Sequence, residues 1–335
     1  RSYGIAGLSK KFDLGSKFKP YLGGGIGFLV RKHGLTIDSL LAAEIVTADG
    51  ERRIVDADNE PDLFWAIRGG GGNFGVVTRL KLRLHEVPQI VGGMLILPAT
   101  AETVEGFLDG SVGAREELST IANVMPCPPM PFVPESEHGK LVIFGMLTYA
   151  GEVAAGQQAL DRFRGLAAPI ADLTQEMPYS GMYFPDDEEY RPTAVAKTMF
   201  IDRVDAPTAS LIMDRLESSD APLRVTQLRA LGGAMARVPA DATAFAHRSS
   251  RIMANVAAFY EGPEDRVVRE AWVNELSAAL PLDGGVYVNF LVNEGEPGIR
   301  AAYPGSTWDR LASIKRRYDP TNLFHRNQNI PPAGG

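Results

Sequence analysis

The chain has one cysteine among 335 residues, no long apolar run and no surplus of positive charge. Each shortage removes a class of protein. Cys127, in Met125-Pro126-Cys127-Pro128-Pro129, cannot form an internal disulfide and gives no sign of an oxidising compartment, so it reads as a small apolar residue in a turn. No stretch approaches the roughly 18 apolar residues that a membrane-spanning helix requires, and no apolar signal core stands near the start. No membrane partner is expected, and the cytoplasm is the default compartment. A net charge of −7 offers no positive field to a phosphate backbone, which excludes nucleic acid as the expected partner. The acidic run Asp186-Asp187-Glu188-Glu189 reads as a solvated loop. Histidines 33, 85, 138, 247 and 325 include no pair at metal-ligand spacing, so no metal is assigned.

What is present is ordinary in bulk: 45% apolar and 22% charged residues, enough for a sizeable core. The length suits two domains, or one interrupted by another. From Ser39 two strand-like runs flank Asp49-Gly50, the chemistry of a type I′ hairpin. Asn59-Glu60-Pro61-Asp62 supplies a cap, a proline and early acids for a short helix over Leu63-Phe64-Trp65-Ala66-Ile67. Beyond a run of glycines, Leu80, Leu82 and Leu84 alternate with polar residues as in a half-buried strand. After Pro88, strand-like runs near 91–98, 120–125, 140–149, 170–178, 223–230, 251–260 and 285–293 alternate with helical patterns near 101–108, 152–166, 207–218 and 264–279. The middle of the chain therefore reads as helices covering a mainly antiparallel sheet. A last helix near 306–317 buries Trp308, Leu311 and Ile314 and stops at Asp319-Pro320.

Three segments carry chemistry. Gly70-Gly71-Gly72-Asn73-Phe74-Gly75 satisfies G-x-G-x-x-G, but it follows a helix and enters a strand, the reverse of a dinucleotide-binding turn. It is either a helix end followed by a tight turn, or a turn whose bare backbone approaches a pyrophosphate or a flat ring. Gly23-Gly24-Gly25-Ile26-Gly27 precedes Gly34-Leu35-Thr36-Ile37-Asp38. The tail places Leu323, Phe324 and Ile330 as apolar anchors among Asn322, Asn327, Gln328 and Asn329, amides suited to a planar polar ligand. A strand over Gly285–Val292 would also put Tyr287 and Asn289 on one face, where they either orient a substrate hydroxyl or simply pack the sheet. Tyr149, Tyr179, Tyr183 and Tyr190 are candidates to line a cavity, and nothing selects among them. His247 and Arg248 read as surface ion-pair partners outside the site.

In this order and spacing, the glycine segments and the tail resemble the FAD-linked oxidases of the berberine-bridge-enzyme-like family. The resemblance runs from about Leu22 to Pro332. It implies an α+β fold: the remainder of a PCMH-type FAD-binding domain over 1–90, a substrate domain of mainly antiparallel sheet covered by helices over 91–293, and a berberine-like segment over 294–335 returning to the FAD domain. It implies FAD held by Gly23, Gly24, Gly25, Gly27, Gly34, Leu35, Asp38, Gly72, Asn73, Gly75, Val77, Asn322, Asn327 and Gln328. Tyr287 would remove a substrate proton, assisted by Asn289, as hydride passes from a hydroxylated or heterocyclic small molecule to flavin. Dioxygen would then accept the electrons and give hydrogen peroxide. Members with a tyrosine after the triple glycine contrast with Ile26 here, and no histidine precedes His33 at the usual place of flavin attachment. The expectation is therefore a chain lacking most of the N-terminal FAD subdomain, with a truncated, inactive remnant or binding protein as the alternative.

Overall fold

The computed structural model describes residues 26–87, 89–183, 193–291, 295–326 and 328–334. Gly23, Gly24, Gly25, Asn327, Tyr190 and the acidic run at 186–189 lie outside them. The chain divides into two compact units. One gathers residues 26–86, 234–249 and those after 283; the other holds Val87–Gly233 and Ser250–Asp283. The stretch read as 91–293 thus contributes two segments to the first unit.

The first unit is built on a three-stranded antiparallel sheet of order β2-β1-β3, with β1 Leu40–Val46, β2 Arg52–Asp56 and β3 Val76–Leu82. The β1–β2 hairpin is confirmed, but its turn is not type I′. Thr47 N–H donates to Glu51 O and Gly50 N–H to Thr47 O, and Asp49 does not take the positive φ that type I′ demands. Asp49 accepts instead from Thr47 Oγ1 and the Glu51 N–H. Strand β3 stops at Leu82, and Leu84 is 88% exposed. Helix Pro61–Ile67 forms as its proline predicts, although its cap residue is Glu60 in the left-handed region and Asn59 binds the Asp56 carboxylate. Five consecutive residues of this helix, Leu63 to Ile67, are buried. They share a core with Ile45, Phe74 and Val77, and with Trp308, Leu311 and Ile314 of the last helix, Ser306–Tyr318. Full burial of such side chains stabilises by about 1.5–3 kcal/mol each.

The second unit carries an eight-stranded antiparallel sheet: β4 Ile90–Pro98, β5 Leu118–Pro126, β6 Leu141–Tyr149, β7 Ala171–Asp172, β8 Gln175–Met177, β9 Ala194–Ile201, β10 Arg224–Ala230 and β11 Ile252–Phe259. The order is β7-β4-β6-β5-β10-β11-β9, with β8 also on β4. Helices Ala101–Val112, Val153–Arg164, Ala206–Glu217 and Gly262–Ala279 pack on one face. Phe107, Phe163, Ile212 and Leu276 from those helices meet Leu228, Ala122 and Val256 from the strands. Tyr149 belongs to that core. Tyr179 and Tyr183 pair through their hydroxyls at 2.6 Å.

Because strand side chains alternate, the residues between these core positions face away from the helices. There Thr198, Asn255, Gln227 and Asn123 form a direct cross-strand row over β9, β11, β10 and β5. Gln227 Nε2 donates to Asn123 Oδ1 at 2.8 Å, and Thr198 Oγ1 to Asn255 Oδ1 at 3.2 Å. All four are buried, and their mutual bonds satisfy groups that would otherwise be unpaired. Composition gave no sign of this row.

Candidate functional site

The site-bearing segments of the first unit meet at Asn73. Its Nδ2 donates to Gly70 O at 2.9 Å and to Gln328 O at 3.0 Å, and its Oδ1 accepts the Ile330 N–H at 3.0 Å. Its own carbonyl accepts from Lys315 Nζ at 2.7 Å. Asn73 is therefore a joint between the glycine turn and the tail, with its side-chain capacity already engaged. The turn needs glycine at position 75 for close approach: φ is 155°, and a Cβ would stand 2.4 Å from Val46 O. Tyr303 closes the other side, its hydroxyl donating to Gly69 O at 2.9 Å.

Lys315 fixes the tail. Its Nζ donates to Asp319 Oδ2 at 2.6 Å and to Phe324 O at 2.8 Å, while Asp319 accepts the Leu323 and Phe324 N–H groups. Burial pushes the Lys315 ammonium below its ordinary pKa, against the pull of Asp319. Burial alone would raise the Asp319 carboxyl, but Lys315 and the two N–H donors hold it below its usual range. The expected apolar anchors divide: Ile330 is fully buried, Phe324 is half-buried, and Leu323 is 56% exposed. Leu323 is in the tail for its backbone N–H, which Asp319 takes. Asn322 sits at φ 54°, and Gln328 Nε2 donates to Leu291 O at 2.9 Å.

The Gly34-Leu35-x-x-Asp38 element is a second fixed turn. Asp38 Oδ2 accepts the Leu35 N–H at 2.8 Å, and a Cβ on Gly34 would lie 2.8 Å from that oxygen. Asp38 then pairs with Arg248, NH1 to Oδ2 at 2.8 Å and NH2 to Oδ1 at 2.7 Å. Arg248 also donates to Thr243 Oγ1 and Phe245 O. It is not the exposed ion-pair partner its loop context suggests, because only 3% of its side chain is accessible. Gly27 precedes the short helix Val30–His33 and is half-buried.

The stretch from Gly285 is not a strand. Val288–Phe290 is a 3-10 turn, so Tyr287 and Asn289 do not project from a sheet face. They meet all the same, Asn289 Nδ2 donating to the Tyr287 hydroxyl oxygen at 2.6 Å. Tyr287 is buried between the rings of Phe245 and Phe290, with centroids 6.1 and 5.3 Å away.

Gly71, Gly72 and Gly75 border a shallow recess with Ile45, Ile67, Phe74 and Val77. Its walls are apolar and its rim is bare backbone, the chemistry of a flat-ring or pyrophosphate contact. Of the residues that sequence reasoning assigned to a cofactor, Gly72, Gly75 and Val77 line this recess, Asn73 holds the backbone beside them, and Asp38 fixes the separate turn at Leu35. Arg248 and Lys315 were missed as members of the site. Among the described residues there is no cluster suited to a metal ion and no helix long and apolar enough to cross a membrane.

The family described as berberine and berberine like matches residues 286–331. That span begins at the Tyr287–Asn289 pair and ends just past the residues that Asn73 grips. The chain thus carries the berberine-like segment of that family. It is 29% identical over 329 residues to (R)-6-hydroxynicotine oxidase of Paenarthrobacter nicotinovorans, covering 93% of this chain and 70% of that protein. It is 28% identical over 320 residues to an FAD-linked oxidoreductase of Dictyostelium discoideum, covering 93% and 67%. The solved structure of a berberine-bridge-enzyme-like 1 variant from Physcomitrella patens superposes with a TM-score of 0.79 at 22% identity, covering 92% of this chain and 69% of that one. Mixed helix and antiparallel sheet is thus the family fold, its relatives are oxidoreductases, and FAD is the family's cofactor.

Proposed function

We propose that the protein is an FAD-dependent oxidase that takes a hydride from a carbon of a hydroxylated or heterocyclic small molecule, with dioxygen as the final acceptor and hydrogen peroxide as product. Bound FAD would supply the two-electron acceptor. The observation that carries this reading is the Tyr287–Asn289 contact, a buried phenol oxygen that receives an amide N–H at 2.6 Å. In that arrangement Tyr287, once ionised, takes the substrate's hydroxyl or ring N–H proton, and the Asn289 amide holds the charge on the phenolate oxygen.

The chain's residues fit the cofactor in chemistry. Gly72, Gly75 and Val77 offer bare backbone and an apolar wall, Asn73 and Gln328 hold that wall to the tail, Gly34, Leu35 and Asp38 form the second turn, and Gly27 stands before the short helix that leads into it. Asn322, at φ 54°, turns the chain just beyond Asp319, the C-cap of the last helix. The similarity to a 6-hydroxynicotine oxidase makes hydroxylated nitrogen heterocycles the first substrates to try.

The test is the visible spectrum of the purified protein before and after addition of FAD, followed by anaerobic bleaching with such heterocycles and assay of peroxide on readmission of air. A retained flavin spectrum, substrate-dependent bleaching and stoichiometric peroxide are expected. A protein that takes up no FAD would overturn the oxidase reading and leave a binding protein of the same fold.

A further inference from the structure

Asn73 grips the tail on both sides of a single residue. Its two side-chain atoms hold the Gln328 carbonyl and the Ile330 N–H, so the backbone at Asn329 is fixed at two points by a buried side chain. Gln328 is tied again through Nε2 on Leu291 O, and Ile330 is sealed in the core. Between them, the Asn329 amide oxygen is buried and accepts no hydrogen bond. Buried polar atoms without a partner are rare in native proteins because each is a standing loss of stability. A rigid backbone carrying an unsatisfied amide is the arrangement that ligand binding rewards, since little ordering remains to be done.

Asn322 also has a buried, unpaired amide oxygen, but its backbone explains it. At φ 54° asparagine is the side chain most tolerant of the left-handed region after glycine. Asn329 is not among the residues at positive φ, so no backbone requirement calls for asparagine there.

A carboxamide presents one donor and one acceptor in a plane, and it pairs best with a planar edge that offers their complements. We infer that the Asn329 side chain recognises the imide edge of the isoalloxazine ring, where an N–H lies between two carbonyls. That edge accepts the amide in either of its two orientations. The inference rests on the FAD reading given above. The amino edge of adenine has similar donor and acceptor chemistry, and the experiment separates the two ends of the cofactor.

Binding of FAD, of FAD methylated at the imide nitrogen, and of ADP is measured on the apoprotein for wild type and Asn329→Leu, with Asn329→Ala as the smaller second variant. Wild type is expected to bind FAD about tenfold more tightly than the methylated analogue, the scale of one buried hydrogen bond. Both variants should lose that discrimination and keep wild-type affinity for ADP. Asn329→Leu apoprotein should also melt at a higher temperature, because an unsatisfied polar atom has gone. Discrimination that survives in the variants, or that is absent from wild type, overturns the inference while leaving FAD binding intact. A fall in ADP affinity that tracks FAD moves the contact to adenine and overturns it as well. A wild-type chain that binds no FAD brings down the functional reading and this inference with it.

Discussion

Lys315 and Asp319 form an ion pair at 2.6 Å in which neither side chain is exposed to solvent. The pair lies one helical turn apart on Ser306–Tyr318, and it joins that helix to the glycine turn and to the tail. Buried charges that leave water recover their solvation only through complete hydrogen bonding. Here Lys315 has three acceptors and Asp319 two backbone donors besides the lysine.

Lys315→Met should therefore destabilise the protein by about 3–5 kcal/mol, since it leaves the Asp319 carboxylate buried without its cation. Urea denaturation measures the loss. Lys315→Met/Asp319→Asn should recover part of it by removing the stranded charge. A single variant within about 1 kcal/mol of wild type would show that the pair is not a structural clasp.

The same carboxylate sets an acid limit. The folded pKa of Asp319 is lowered from 3.8, so its contribution to stability is fully present above that value and is lost as pH falls through the folded pKa. Melting temperature should change little on this account between pH 7 and 5 and fall below roughly pH 4. Asp319→Asn should flatten the acid limb. An unchanged limb would assign acid unfolding to other carboxylates, such as Asp205 at the start of helix Ala206–Glu217, held down at about 2.

Asp38→Asn and Arg248→Lys should be strongly non-additive. The two-bond contact between carboxylate and guanidinium survives in neither variant, and each leaves a partner short of a buried bond. A double-mutant cycle should return a coupling of about 1–3 kcal/mol. Simple additivity would mean that the turn at Leu35 is fixed by other contacts.

Gly75→Ala should cost about 1–3 kcal/mol through backbone strain and crowding. The new Cβ would meet a β1 carbonyl at 2.4 Å, and neither strand can yield without loss of ladder bonds. The expected readout is a lower melting temperature with unchanged secondary structure by circular dichroism. A melting temperature equal to wild type would place slack between β1 and β3.

Tyr287→Phe should lower kcat by about 10²–10⁴, the usual range for loss of a general base, while flavin content stays unchanged. Asn289→Ala should act in the same direction with a smaller effect. Unimpaired turnover in Tyr287→Phe would remove this phenol from the chemistry.

Sequence pattern made the sheets legible because alternation and helical spacing are local. Strands β4, β5, β6, β10 and β11 and the four helices over them lie where those periods place them. The Tyr287 segment misled because Val286, Val288 and Phe290 alternate like a strand, whereas among the described residues no neighbouring strand pairs with it. Arg248 looked like a surface charge because its partner lies 210 positions away. Lys315 carried a readable signal: Trp308, Leu311, Ala312, Lys315 and Tyr318 are spaced as one helix face, and all are buried. A cation at a core position of a helix calls for a buried acceptor, and the tail following Asp319 was the nearest source of one.

The grip of Asn73 on Gln328 and Ile330 spans 255 and 257 positions of chain. During synthesis at about 5–20 residues per second, the glycine turn is made roughly ten seconds to a minute before the residues that lock it. The nascent chain therefore passes through a period in which both sheets can form but the turn stays open. Closure of the turn waits on residues 328 to 330, and a chain that stops before Gln328 leaves the glycine turn without its lock.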